Sequence, residues 1–586
     1  MTTPVRNERS RMSGVACGLA MLMATASIAC MAEGEISVGP GTGSGNAGTS
    51  GGSGTAGTGG PVKPIDPSTP QSTSWFESLK SANCSGGGTA VPASRIYRLS
   101  SVQWKNTVAQ GLGISSPDVS SFPKDQLDPR TGFSTDSTGD KISAQLASSY
   151  FDASDRVATQ GATAAIAANA CLGTTPVTAA CAQTFVNQYG ARLFRRALTQ
   201  AETTSLSNYL VAESKLDPAA TAVASTLKAM LLSPNFLYRT ELGNSKAGAV
   251  DLTPDEIAQF LSYTIADGPP DAQLAQAATA GQLADPAMRM AQAQRLAATT
   301  GARDKMMSFW REYLAIGDAP TSAGLDQSMH NEATTFFSKV VFDGAGTLKE
   351  LLTAPYTYAD KTVAAVYGTA QPAADGKLML NPAQRSGFVT SASVMVKTGA
   401  SSQAATVIHR GLLVRSRLLC QTPPPPPPNF VPDPVQIQQA GDTATAKENY
   451  EFFASKNKGC DACHSNFHPL GLPFESYDAA GKFRTSYAAP INKPILTSGT
   501  LSGAGDASGD YADVVGLVQR LGNSQIAQYC FAQQFAQYAF GRSVSLDQEQ
   551  CVVKDMGDYV NSKGGQVREL LASFAASPAV FRRFHQ

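Results

Sequence analysis

The sequence predicts a mainly α-helical protein divided into several domains, and three observations carry that expectation. Its 586 residues exceed what one hydrophobic core usually serves, so two or more cores are expected. Helix starts are marked by capping boxes, in which a Ser or Thr and a Glu or Gln three residues later satisfy the first free amides. They lie at Ser100…Gln103, Thr199…Glu202, Thr253…Glu256 and Ser545…Gln548. Period-two alternation, the mark of half-buried strands, is scarce.

The first thirty residues differ from the rest. Arg6, Arg9 and Arg11 give a positive start, and Val15 to Ile28 is a short apolar run ending in Ser27-Ile28-Ala29-Cys30. This is the layout of a signal peptide over 1–30, too short for a membrane-spanning helix. Small residues before a Cys also resemble a bacterial lipoprotein cleavage site, with Cys30 lipidated, although Ser27 stands where Leu is usual. The Gly/Ser/Thr-rich stretch over 31–74 cannot bury a core and reads as a flexible tether. The expected location is extracytoplasmic: periplasmic, or anchored at the outer membrane or cell surface. Forty-six basic residues balance 46 acidic ones, so nothing invites a nucleic acid. Membrane contact is expected through the N-terminal lipid alone.

The body begins near Trp75 with a helical domain over 75–165 and a helical hairpin over 175–241. A further helical domain covers 250–375, where Pro254 opens a helix and Ile257, Leu261 and Ile265 recur at helical spacing. Six prolines, Pro423 to Pro428, predict a polyproline II spacer of about 19 Å within the segment 385–490. The last unit, 510–586, contains a repeat. Phe194-Arg-Arg-Ala-Leu-Thr199 matches Phe540-Gly-Arg-Ser-Val-Ser545, and Leu232-Ser-Pro-x-x-Leu-x-Arg239 matches Ala576-Ser-Pro-x-x-Phe-x-Arg583. The copies are 346 residues apart at Thr199/Ser545 and 344 at Pro234/Pro578, which predicts a duplicated helical hairpin around 181–239 and 527–583.

Ten cysteines are present. Cys17 lies in the leader and Cys30 at its end; export places the others where disulfides persist. Cys171 and Cys181 close a short loop, Cys530 and Cys551 share one repeat unit, and by elimination Cys84 would meet Cys420. The remaining pair lies in Cys460-Asp-Ala-Cys463-His464, the attachment pattern for one haem c. Two thiols spaced by two residues can each bond a haem vinyl group, and the adjacent imidazole of His464 then ligates the iron. A reversible Cys460–Cys463 disulfide stays open as an alternative. So does zinc held by Cys460, Cys463 and His464 or His468, although such sites usually draw a second ligand pair from farther off.

No sixth iron ligand is evident. Met395, His409 and Met556 are the candidates; His468 is too near to cross the ring, and His585 lies at the chain end. Otherwise the iron keeps an open position. Pro469 could turn its carbonyl toward the His464 Nδ1 and fix that ring. No Gly-x-Ser-x-Gly, His-Glu-x-x-His or phosphate-loop pattern appears, and no catalytic residue is assigned. Asp461, Glu475 and Asp478 near the motif read as solvated surface.

These residues resemble a known set, the planctomycete cytochrome c-like secreted proteins built from domains of unknown function 1587, 1595, 1592, 1588 and 1585. Arg95-Ile-Tyr-Arg-Leu-Ser…Asn106-Thr…Gly113 is similar to the first (75–165), and Tyr189 to Thr199 through Ser233 to Arg239 to the second (175–241). Phe260-Leu-Ser-Tyr…Asp271…Asp285 through Phe309-Trp310 and Tyr356 to Tyr367 resembles the third (250–375). Arg410-Gly…Leu419-Cys420, then Cys463-His464…Pro469-Leu-Gly471…Glu475…Asp478…Gly481…Arg484, resembles the fourth (385–490), a cytochrome c-like segment. Tyr538-Ala-Phe-Gly-Arg542 through Ser577-Pro578 resembles the last (510–586). One departure stands out: the residue before Pro469 is normally Asp and here is His468. The resemblance implies export and competence for haem, but no reaction. The leading expectation is electron transfer with an unidentified redox protein. A non-catalytic surface scaffold with a structural Cys460–Cys463 disulfide is the alternative, and a haem oxidase with an open iron site a third reading.

Overall fold

Helix capping organises the chain as the sequence predicts, and the protein is mainly helical. The computed structural model describes residues 74–84, 91–128, 131–135, 142–244, 247–318, 320, 324–368, 371–399, 403–423, 440–456, 461, 463–544 and 546–585. The expected signal peptide with Cys30, the expected tether up to residue 73, Pro424 to Pro428, Cys460 and Ser545 therefore lie outside the described residues. Among the described residues no helix is long and apolar enough to cross a membrane.

Helix α1 (Ser74–Ser81) and strand β1 (Arg95–Arg98) lead into α2 (Ser101–Leu112), whose capping box on Ser100 and Gln103 is formed. Then follow α3 (Ala144–Ala168), α4 (Ala179–Phe194), α5 (Gln200–Glu213), α6 (Ala219–Leu231) and β2 (Tyr238–Glu241). These helices enclose one core around Trp104, Tyr150, Phe185, Leu193, Leu227 and Phe236. A second and larger core runs from Phe76 to Phe581 and takes side chains from α1, the central helices and the C-terminal unit. It receives β3 (Gly248–Asp251), α7 (Pro254–Ala266), α8 (Ala272–Thr279), α9 (Pro286–Ala297), α10 (Thr300–Tyr313) and α11 (Leu325–Ser338). Further on are α12 (Gln403–Leu412), α13 (Ala446–Lys456), α14 (Val514–Gly522), α15 (Gln525–Phe540), α16 (Leu546–Ser562) and the terminal strand (Arg582–His585). The units distinguished by sequence thus share apolar cores.

The strands form two-stranded antiparallel pairs. Strand β1 lies on β2 with Tyr97 opposite Arg239, and β3 lies on the terminal strand with Val250 opposite Arg583. One buried carboxylate ties these two pairs together. Glu241 accepts from Arg95 Nη2 at 2.8 Å, Tyr97 Oη at 2.7 Å and Arg583 Nε at 2.6 Å.

The repeat read from sequence recurs in its first and last elements but not between them. Helices α4 and α15 are both 16 residues long, and each ends on a left-handed residue, Arg195 (φ 59°) or Gly541 (φ 62°). Helices α5 and α16 follow; the first copy then has the 13-residue α6 where the second has short helical turns over 567–576, and both end on a short helical turn, Pro234–Leu237 or Pro578–Phe581, and a strand at 238–241 or 582–585.

Three disulfides join described residues: Cys171–Cys181, Cys84–Cys551 and Cys420–Cys530. The expected Cys530–Cys551 and Cys84–Cys420 pairings are therefore exchanged. Cys530 lies ten residues before the end of α15 and Cys551 five residues after the start of α16. At 1.5 Å per residue that staggers them by about 8 Å along the hairpin, beyond disulfide reach. Each instead faces a cysteine from another part of the chain at a Cα separation of 5.4 Å.

Candidate functional site: the His464–His468 segment

The segment is held by a close crossing. Helix α12 passes over the short helix His468–Gly471 with glycine on both sides of the contact. A Cβ on Gly411 would overlap the Phe467 carbonyl, and one on Gly471 the Val407 carbonyl, so only glycine admits this approach. After α12 a π-helical stretch, Leu413–Leu418, presents Arg415, whose Nε donates to the Asn466 carbonyl at 2.7 Å. Fully buried Arg410 donates to the carbonyls of Phe474 at 2.6 Å and Tyr477 at 3.1 Å. Burial and the nearby Arg484 pull the Arg410 pKa down, to about 10, against the pull of Glu475, which lies 3.8 Å away. Backbone 466–477 is thus fixed to α12 by buried guanidinium groups.

Helix α13 supplies the other wall. Thr445 and Glu448 form a reciprocal cap at its start, with Glu448 N donating to Thr445 Oγ1 at 3.2 Å and Thr445 N to Glu448 Oε2 at 2.7 Å. Tyr450 and Phe453, three residues apart, then share a face. Tyr450 Oη donates to Asp461 Oδ1 at 2.8 Å; burial and this carboxylate raise the phenol pKa. Asp461 therefore has a structural partner rather than being simply solvated.

His464 and His468 stand one helical turn apart, with Nδ1 atoms 3.0 Å from each other. His468 is 5% exposed, and its ring stacks on Tyr450 at 4.5 Å. Phe453 and Phe467 flank His464 at 5.0 and 4.9 Å. Burial, helped by His464, pushes the His468 pKa down to about 3; burial also lowers that of His464, with Asp461 opposing. His468 is therefore neutral near pH 7. The expectation that the Pro469 carbonyl would hold Nδ1 of His464 is corrected: its partner is His468 Nδ1. Sequence reading passed over that role, although two histidines four apart, in a chain with five, were the available signal.

Cys463, half-buried, carries a free thiol beside His464, while Cys460 lies outside the described residues. The sixth-ligand candidates have other surroundings. Met395 and Met556 are fully buried in the larger core. His409 is exposed, two residues from both Val407 and Gly411, and so lies across α12 from the crossing. His585 is engaged by Ser94 Oγ and the Leu242 carbonyl. Among the described residues no group of three or more His, Cys, Asp and Glu is arranged to hold a metal ion. The donors present do fit the protein side of a c-type haem: a free thiol, then an imidazole whose Nδ1 is engaged and whose Nε2 has no hydrogen-bond partner among the described residues.

This defines a helical, disulfide-stapled chain with a thiol–imidazole segment. Domain families described as proteins of unknown function match it in order: DUF1587 over 97–163, DUF1595 over 181–241, DUF1592 over 252–369, DUF1588 over 385–487 and DUF1585 over 509–580. The chain belongs to the planctomycete cytochrome c-like multidomain family defined by that series. No curated protein and no solved structure matches it.

Proposed function

We propose that this is an exported, lipid-anchored c-type cytochrome-like protein that transfers electrons through one haem. Cys460 and Cys463 would attach the haem, and His464 would ligate the iron through Nε2. The supporting observation is the engaged Nδ1 of His464 beside the free thiol of Cys463. Bound haem would supply a one-electron couple; the chain's own residues engage the His464 ring at Nδ1 and shield it with Phe453 and Phe467. Disulfides among the remaining cysteines agree with export, and a lipid on Cys30 followed by a tether would hold the body off a membrane.

Expression with a cytochrome maturation system tests this. The expected product has a Soret band and a haem mass that survives reduction and denaturation. A colourless product with the mass of the bare processed polypeptide sinks the proposal. The disulfide-rich body favours one second reading, a non-catalytic surface scaffold with Cys460 bonded to Cys463. In that case denaturing reduction exposes two labelled thiols more than the six released by the three described disulfides.

A further inference from the structure

Two imidazoles that meet Nδ1 to Nδ1 can share a hydrogen bond only if one ring carries its proton there and the other does not. The His464–His468 contact is of this kind, at 3.0 Å. The His468 ring has little freedom. It lies near-parallel to Tyr450 (19°) and to Phe467 (18°, centres 5.8 Å apart), and Tyr450 is itself pinned by Asp461. With 5% exposure, it cannot turn without displacing those neighbours. Its Nδ1 is a fixed point facing His464.

We infer that His468 is a positioning residue whose Nδ1 lone pair accepts the Nδ1–H of His464, locking that tautomer and freeing the Nε2 lone pair for a metal. The choice of His464 as the donor, like the iron, rests on the haem reading above; the shared Nδ1–Nδ1 hydrogen bond does not. A neutral imidazole without a partner favours the proton on Nε2, so the locked form has a signature that can be read without haem. The choice of a neutral acceptor also matters. A carboxylate here would draw the Nδ1 proton more strongly and make the ring a stronger donor, whereas an imidazole leaves it weaker.

The test uses the full chain made without haem maturation and labelled with ¹⁵N at its five histidines, with His464→Gln for assignment. Long-range ¹H–¹⁵N spectra at neutral pH should show a pyrrole-type Nδ1 and a pyridine-type Nε2 for His464. His468→Ala should return that ring to mainly Nε2–H, and His468→Asp or His468→Asn, each retaining an acceptor oxygen, should restore the locked form. Rescue separates positioning from loss of the fold. An Nε2-protonated His464 in the wild type, or an unchanged tautomer in His468→Ala, overturns the inference. In the haem-loaded chain His468→Asp should lower the reduction potential relative to wild type. A chain that shows the locked tautomer but never takes up haem defeats the proposed function and leaves this inference standing. A loaded chain whose potential ignores residue 468 does the reverse.

Discussion

The two copies of the repeated unit share the order of their first and last elements and differ in what anchors them. In each, an Arg follows the Ser-Pro turn by five residues from the proline: Arg239 in the first copy, Arg583 in the second. Both are buried, and a buried guanidinium must be compensated. Arg239 lies between the rings of Tyr97 and Tyr263, at 4.2 and 4.3 Å from their centres. Arg583 instead meets Glu241 and donates to the Val580 carbonyl at 2.8 Å. Turn and caps fix the position, while the neighbouring elements decide how the charge is satisfied.

The largest effect expected from breaking this pattern is at Glu241. Glu241→Gln leaves Arg95 and Arg583 buried without a carboxylate and should cost about 3–5 kcal/mol. Arg583→Met retains the Arg95–Glu241 pair and should cost about 2–3 kcal/mol, and Arg239→Met, which loses only ring contacts, about 1 kcal/mol. Denaturant midpoints of the three variants give the order; equal losses at the two arginines contradict the comparison. The pH dependence follows from the sign of the shift. Burial pushes the Glu241 carboxyl up, but Arg583 and Arg95 outweigh it and hold its pKa well below the usual carboxylate range. Its contribution is therefore complete above the unfolded pKa, about 4.3, and fades as pH falls toward the folded value. The Glu241→Gln deficit should be smaller at pH 3 than at pH 7.

The left-handed residue that ends each first helix sharpens the contrast. Arg195 sits there in the first copy and donates to the carbonyls of Asn235, Phe236 and Tyr238 within its unit and, through Nε, to Gln259 Oε1 of α7 at 3.2 Å. Gly541 occupies the place in the second copy, where a Cβ would overlap the Thr135 carbonyl. Arg195→Ala should cost about 2–4 kcal/mol through lost bonds to buried carbonyls. Gly541→Ala should cost about 2 kcal/mol through left-handed strain and that contact. Arg195→Gly separates the causes, since it relieves the strain yet keeps the lost bonds; a variant as stable as wild type shows that the side chain is idle.

What could be foreseen from sequence was local. The boxes at Ser100, Thr199 and Thr253 form because cap and partner lie three residues apart. The repeat was visible for the same reason. Cys84–Cys551 spans 467 residues and depends on how α1 meets α16, which no short pattern encodes. At the site, the thiol–imidazole motif could be read directly, but the acceptor for His464 was sought in the Pro469 backbone. The ring that fills the role depends on α13 bringing Tyr450 against His468. Glycines 411 and 471 stand among the residues that resemble the family, but no local pattern shows why glycine is needed there, since the need arises from a crossing between segments 60 residues apart.

The smallest effects expected lie at the caps, and they test whether the copies differ in local stability as well as in anchoring. Thr199 Oγ1 accepts from the Glu202 amide at 3.2 Å, and the Glu202 carboxylate accepts from the Thr199 amide at 2.8 Å and from Arg196 Nη2 at 2.7 Å. The Arg196 hydrogen bond, against burial and with help from Thr199, lowers the Glu202 pKa to about 2. This pair is partly exposed, so Glu202→Gln should cost less than about 1 kcal/mol, and Thr199→Ala about 1 kcal/mol. Both pairs are bidentate, but the counterpart in the second copy, a clasp of Arg542 to Glu549 at 2.6 Å on both arms, is tighter and more buried, with side chains 12% and 6% exposed. It forms where α16 departs from helical geometry at Glu549 (φ −116°, ψ 25°), so the ion pair there supports backbone that the helix ladder does not. Glu549→Gln should therefore speed hydrogen exchange across the start of α16 more than Glu202→Gln speeds it across α5. Equal protection losses in the two helices would mean that the clasp adds nothing beyond an ordinary cap.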